Sequence, residues 1–320
     1  MRFRGSLIAA VLAATLPLLS ARAEPLQAVP AVQASNATQA TMLDAVWAGE
    51  RVVAVGDHGV VLLSDDQGKR FRQARSVPVS TQLTGVSFVD AQRGWAVGHW
   101  GAILATADGG ESWQIQRLSS DVDRPLFDVH FFNAQQGVAV GLWSLLLITE
   151  DGGKTWTEQS LPPPPGARKA DLNLMGLFAG SHGTLYATAE HGQLLHSEDQ
   201  GKSWGYLDTG YAGSLWSGAV LDDGSLLLGG QRGTLLQGTK EGTGWRRLPT
   251  HGKGSVTAMA VAGSRVLVVG LDGLMMLSED GGRHFQEKQS ADDLSLTAVL
   301  LDAQGTPVLF SRRGVMPYQK

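Results

Sequence analysis

Seven times along the chain, an apolar segment with alternating polar positions opens a unit of the same layout. These segments begin at Met42, Leu83, Leu126, Leu174, Leu215, Val256 and Leu296, and read, for example, LTGVSFVD and LFDVHFFN. A turn follows, then a nearly all-apolar run such as RVVAVG, GWAVG or GVAVG, a second turn, and a third run such as VLLS, ILAT or LLIT. A short mixed segment, WQIQRL or WTEQSL, closes the unit. Period-two alternation marks a strand covered on one face, and a short apolar run between turns marks a strand buried on both. Four strands per unit, recurring about every forty residues, predict an all-β, seven-bladed β-propeller of four-stranded antiparallel blades.

Between the third and fourth strands lies one recurring octapeptide. It reads SDDQGKRF from Ser64, TADGGESW from Thr106, TEDGGKTW from Thr149, SEDQGKSW from Ser197 and SEDGGRHF from Ser278, with a decayed copy, GTKEGTGW, from Gly238. A hydroxyl and a carboxylate two residues apart can satisfy the amides of a turn, and the glycine supplies its positive φ. An aromatic residue at the end returns to the blade and pins it. Asp66, Asp108, Asp151, Asp199 and Asp280, with Trp113, Trp156 and Trp204, therefore read as structural and not catalytic.

The seventh unit ends after three strands and has no octapeptide. Sheets avoid an open edge, so the segment Leu26–Ser35 is expected to supply the missing outer strand and close the ring. Residues 24–320 then form one propeller domain. Ahead of it, residues 1–23 carry Arg2 and Arg4, an apolar run from Leu7 to Leu19, and Ala21 and Ala23 around Arg22, the layout of a cleavable secretory peptide. Its removal takes the formal charge from −4 to −7, because it carries three arginines and no acid. A mildly acidic exported chain is expected in the periplasm, a monomer when free, with no membrane insertion and no nucleic-acid partner. With no cysteine, it has no disulfide, thiol chemistry or lipidated N-terminal cysteine.

Few residues invite chemistry. Glycoside hydrolysis needs two facing carboxylates, and the candidates are Asp44 in MLDAVW and Asp128 in LFDVHFF, at one register position whose other occupants are Gly85, Gly176, Ser217, Ala258 and Ala298. A short side chain that fits a crowded channel is the simpler reading of both. The eight histidines lack ligand spacing apart from a loose His191 and His196, so no metal and no cofactor are expected.

The octapeptide resembles the Asp-box, or bacterial neuraminidase repeat, which implies boxes on a rim remote from any active site. The sialidase constellation itself is missing: Tyr186, Tyr206, Tyr211 and Tyr318 are the only tyrosines, and the inner segments LTGVSFV, LFDVHFF, LNLMGLF and VTAMAV carry no arginine. Whole blades such as LFDVHFFNAQQGVAVGLWSLLLITEDGGKTWTEQSLP look like the propeller of the photosystem II stability and assembly factor family. That resemblance implies a non-enzymatic scaffold or assembly factor that docks on a membrane protein or envelope complex from the periplasmic side. An accessory subunit of a transporter is compatible with the same face, and the alternative class is a carbohydrate-active Asp-box hydrolase or lectin.

In a propeller the turns between second and third strands share a rim with the inter-blade loops, opposite the boxes. Here they place His58, His99, Trp100, Trp143, His191, Arg232, Arg312 and Arg313 at related positions. An aromatic half and a basic half of a partner-binding face are expected. The inter-blade loop LPPPPGARKADLN, residues 161–173, joins that rim as a stiff proline-rich handle or a spacer.

Overall fold

The computed structural model describes residues 28–119 and 121–316, so the expected leader and the first residues of the expected closing strand lie outside the described residues. Seven antiparallel sheets follow one another in chain order, each connected in sequence from its inner to its outer strand. The second blade is typical, with strands Leu83–Phe88, Gly94–Gly98, Ile103–Thr106 and Gln114–Arg117. Among the described residues, six blades have four strands and the seventh has three, Leu296–Leu301, Pro307–Ser311 and Gly314–Met316.

The second strands GWAVG, GVAVG, LYATA, LLLGG and PVLFS are buried at every position. Each blade lies between two others, so both faces of these strands are covered and the all-apolar pattern follows. The core is accordingly a series of clusters between blades. One joins Met42, Val52, Ala54 and Leu62 of the first blade to Ala298, Val308 and Phe310 of the seventh.

Closure differs from the expectation drawn from Leu26–Ser35. Among the described residues, that segment adds no strand to the seventh blade. It runs beside the first blade instead: Ala31 N–H donates to the Val77 carbonyl at 3.0 Å, and Gln33 Nε2 to the Ala74 carbonyl at 2.8 Å. Pro30 has no N–H to give a ladder, whereas Ala31 packs against the core between the first two blades. The seam is held by side chains. Thr297 Oγ1 donates to the Met42 carbonyl at 2.5 Å, Trp47 Nε1 donates to the Leu301 carbonyl at 3.0 Å, and Phe71 meets Phe310 edge to face at 5.7 Å.

The boxes satisfy themselves, as their composition predicts. In the third blade, Thr149 Oγ1 donates to Asp151 Oδ1 at 2.9 Å and accepts Gly153 N–H at 2.8 Å, while Asp151 accepts Thr155 N–H at 2.9 Å and Thr155 Oγ1 at 2.7 Å. The N–H and hydroxyl of Thr155 hold the Asp151 carboxyl down to about 2. Trp113 and Trp204 fold inward, and each donates its indole N–H to a box glycine, Gly110 at 2.9 Å and Gly201 at 3.0 Å. Gly152 N–H donates to the Gln135 carbonyl, which fixes this box on the rim of the first-to-second turns. Trp204→Ala is expected to cost about 3–5 kcal/mol in urea unfolding, because it empties a buried aromatic site.

Candidate functional site

All seven inner strands begin with the same irregularity. The register slips between the first and third residues, Met42/Asp44 in the first blade and Leu296/Ala298 in the last, leaving the second residue unpaired. Such a bulge turns the strand entry toward the ring axis. In five blades a strand-ending glycine faces it, with Ala189 and Ser311 in the other two; a Cβ on Gly56 would lie 2.0 Å from the Thr41 carbonyl oxygen, and one on Gly98 the same distance from that of Gln82.

The bulged residues and their successors surround a central cavity of about 410 Å³. At the bulge stand Leu43, Thr84, Phe127, Met175, Trp216, Thr257 and Thr297; the next position holds Asp44, Gly85, Asp128, Gly176, Ser217, Ala258 and Ala298. Several of these side chains tie one blade to the next. Thr84 Oγ1 donates to the Leu126 carbonyl at 2.7 Å and Thr257 Oγ1 to that of Leu296 at 2.8 Å, matching Thr297 at the seam. At two other junctions a carboxylate replaces the hydroxyl. Asp44 accepts Val86 N–H at 2.8 Å and Asp128 accepts Leu177 N–H at 2.7 Å, each also accepting the N–H of its own successor.

Asp44 and Asp128, then, sit on one cavity wall with backbone partners of their own. Burial pushes the Asp44 carboxyl up to about 6, against the pull of its two N–H donors. Burial, reinforced by the negative charge of Asp44, pushes Asp128 up to about 8. Each oxygen of the two carboxyls accepts one backbone N–H of the fold.

The opposite class of candidates lies on the rim where the inner strands enter. In the second-to-third turns, Val60 N–H donates to Asp57, Ala102 to His99 and Thr234 to Gln231. Each encloses two left-handed residues, such as His58 at φ 56° with Gly59 at 68°, and Trp100 at 59° with Gly101 at 54°. This is the type I′ hairpin turn, which favours Asn-Gly. The first left-handed place is instead taken by His58, Trp100, Trp143, His191, Arg232 and Asp272. Several are locked by the following inter-blade loop: Trp100 N–H donates to Asp123 Oδ1 at 2.6 Å, Trp143 N–H to Asn173 Oδ1 at 3.0 Å, and Arg232 N–H to Ser255 Oγ at 3.3 Å.

Exposure sorts these residues. Trp143 is 57% exposed, and His58, His191, Arg232, Arg312 and Arg313 are also open to solvent. Trp100 is half-buried beside Val79, Leu118 and the N-terminal Val29, and His99 Nδ1 lies 3.2 Å from Asp123 Oδ2. The rim thus brings Trp100 and Trp143 onto adjacent blades, whereas Arg232 belongs to the fifth and Arg312 and Arg313 to the seventh. The proline-rich loop is anchored at both ends. Leu161 and Leu172 are buried, Tyr206 Oη donates to the Pro162 carbonyl at 3.0 Å, and Asn173 donates to Glu190, leaving 165–169 exposed.

Asp123, Asn173 and Ser255 were not among the sequence candidates. The x-Gly pairs signalled the turns, but nothing in the sequence links them to the loop residue that fixes them. His191 and His196 are separate, one in a turn and one in a strand. Among the described residues, no three His, Asp or Glu side chains gather where an ion could sit.

Comparison with known proteins adds a family. The model of the photosynthesis system II assembly factor YCF48 family matches residues 73–124 and 116–260. No curated protein sequence matches the chain. The solved structure of YCF48 bound to a D1 peptide is 19% identical and aligns at a TM-score of 0.71 over 90% of this chain and 97% of that one. YCF48 from Cyanidioschyzon merolae is 16% identical, at 0.68 over 87% and 94%. The WD40 repeats of RRP9 are 11% identical, at 0.67 over 92% and 94%. At these identities the structural likeness is one of fold.

The carboxyls supply a pH test. Both hold their proton more tightly in the folded chain than at the ordinary value of 3.8. Their contribution to stability is therefore complete below about pH 4 and is lost as pH rises through about 6 and about 8. Urea-unfolding stability of Asp128→Asn is expected to decline less than that of the parent across this window.

Proposed function

The chain belongs to the photosynthesis system II assembly factor YCF48 family, and we propose that it is an exported scaffold, without chemistry of its own, that docks a membrane protein from the periplasmic side. The docking face is the rim of type I′ turns. The observation that carries this reading is the identity of the first left-handed residue in each turn. A left-handed conformation costs a bulky side chain about 1–2 kcal/mol, and asparagine or glycine much less. Two tryptophans, two histidines and an arginine held there exceed what the turns require.

Charge on the same rim agrees. Three of its acids are engaged locally, Asp123 by Trp100 N–H, Glu190 by Asn173 and Asp171 by Lys169, while Asp272 stands exposed in the turn of the sixth blade. Arg168, Arg232, Arg312 and Arg313 have no ion pair among the described residues. Uncommitted cations on the same rim as the exposed Trp143 suit an anionic, partly apolar segment of a client. That a similar propeller has been solved with a D1 peptide bound supports peptide docking as the mode. The leader-like residues 1–23 support export.

The variant Trp143→Asn separates folding from docking. It is expected to unfold at equal or higher urea concentration, by up to about 1 kcal/mol, because asparagine tolerates the left-handed turn. Combined with Arg232→Ala and Arg313→Ala, it is expected to lose the membrane protein that the parent chain retains on affinity capture from a gently solubilised envelope. Undiminished capture by the folded triple variant would remove this rim from the interface; binding or cleavage on a glycan array would replace the scaffold with a carbohydrate-active protein.

A further inference from the structure

The central cavity carries more charge than the ring needs. Three junctions are tied by threonine hydroxyls, Thr84, Thr257 and Thr297, so a neutral side chain suffices for such a link. Asp44 and Asp128 tie their junctions in the opposite sense, accepting an N–H of the neighbouring blade, and place a carboxyl on the wall. Among the described residues they are also the only ionisable side chains lining the cavity, with no lysine, arginine or histidine to balance them. Each carboxylate oxygen accepts one backbone N–H and retains a second acceptor site.

The surroundings define what fits. Gly85 and Gly176 occupy the register position of the acids in neighbouring blades; a Cβ on Gly85 would stand 2.9 Å from Asp128 Oδ1. Space beside the acids is thus kept by missing side chains. At the bulge, one position nearer the docking rim, Leu43, Phe127, Met175 and Trp216 form an apolar and partly aromatic collar.

We propose that the cavity is a binding site for an organic cation, a primary ammonium on a short apolar stem, with the ammonium between Asp44 and Asp128 and the stem against Phe127, Met175 and Trp216. The acids supply the charge complement, aromatic faces favour a cation's approach, and a cavity of about 410 Å³ lies within the ordinary range for small-ligand sites. Such a group comes either as a free amine or as a lysine side chain offered by a docked partner. The site is separate from the turn residues of the docking rim, so it stands whether or not they hold a partner.

Calorimetric titration of the whole chain tests it, with hexylammonium as the free amine, an acetylated lysine amide as the side-chain mimic, and hexanol as the uncharged stem. Hexylammonium or the lysine amide is expected to bind and hexanol at least about tenfold more weakly, the difference expected of a charge-assisted contact. Binding by the lysine amide alone assigns the site to a partner, and binding by hexylammonium to a free amine. Near pH 6.5, binding is expected to release protons, read from titrations in two buffers of different ionisation enthalpy, since the cation displaces protons from the carboxyls. Asp44→Asn with Asp128→Asn is expected to abolish the preference for the cation, and Trp216→Ala to weaken binding while keeping proton release. Equal binding of hexanol and hexylammonium, unchanged binding by the folded double variant, or no binding of any probe would overturn the proposal.

Discussion

Every blade of this protein is a sheet with two apolar faces, and neither face can be left to water. A second strand such as GVAVG, buried along its whole length, is stable only with a blade on each side. Six blades cannot satisfy themselves without the seventh, and the seventh needs the first. The closed ring, the axial cavity and the two rims all follow from that one demand. At the axis the inner strands crowd, and the bulge repeated in all seven blades is how they enter without collision.

The two rims divide the work. On one, each box turns its carboxylate onto its own amides, as Asp151 does with Thr155, and spends its polar groups internally. On the other, the loop side chains Asp123 and Asn173 grip the turn backbone and leave the turn side chains uncommitted. Local rigidity and outward display are therefore joined at the same residues.

Much of this was legible in the sequence. The recurring octapeptide gave the blade period, and the alternation of half-buried and fully buried strands gave their order, because both are local patterns. The bulge was not legible: a one-residue slip looks like continued alternation, and only pairing of Gly98 with Leu83 beside Val97 with Gly85 reveals it. The left-handed residues escaped for a related reason, since tryptophan is not a turn former and a following glycine marked the place at Trp100 but not at Trp143, which Ser144 follows. The N-terminal segment was read by analogy with a missing strand. Its course was set by tertiary contacts of Ala31 and Gln33 that no local pattern encodes. The carboxyls of Asp44 and Asp128 were found as a shared register position, but their separate partners, Val86 and Leu177, belong to the next blade in each case.

The seam between the first and last blades has a kinetic meaning. Thr297 reaches Met42 across 255 residues, whereas an ordinary junction such as Thr84 to Leu126 spans 42. Local junctions close small loops and form early; the seam closes the whole chain and forms after the others are in place. A chain emerging N-terminus first holds its opening blade half-covered until synthesis delivers the last. Held by side-chain hydrogen bonds and the apolar cluster around Phe310, with no strand shared by the two blades among the described residues, that junction is also the natural place for the ring to begin to open.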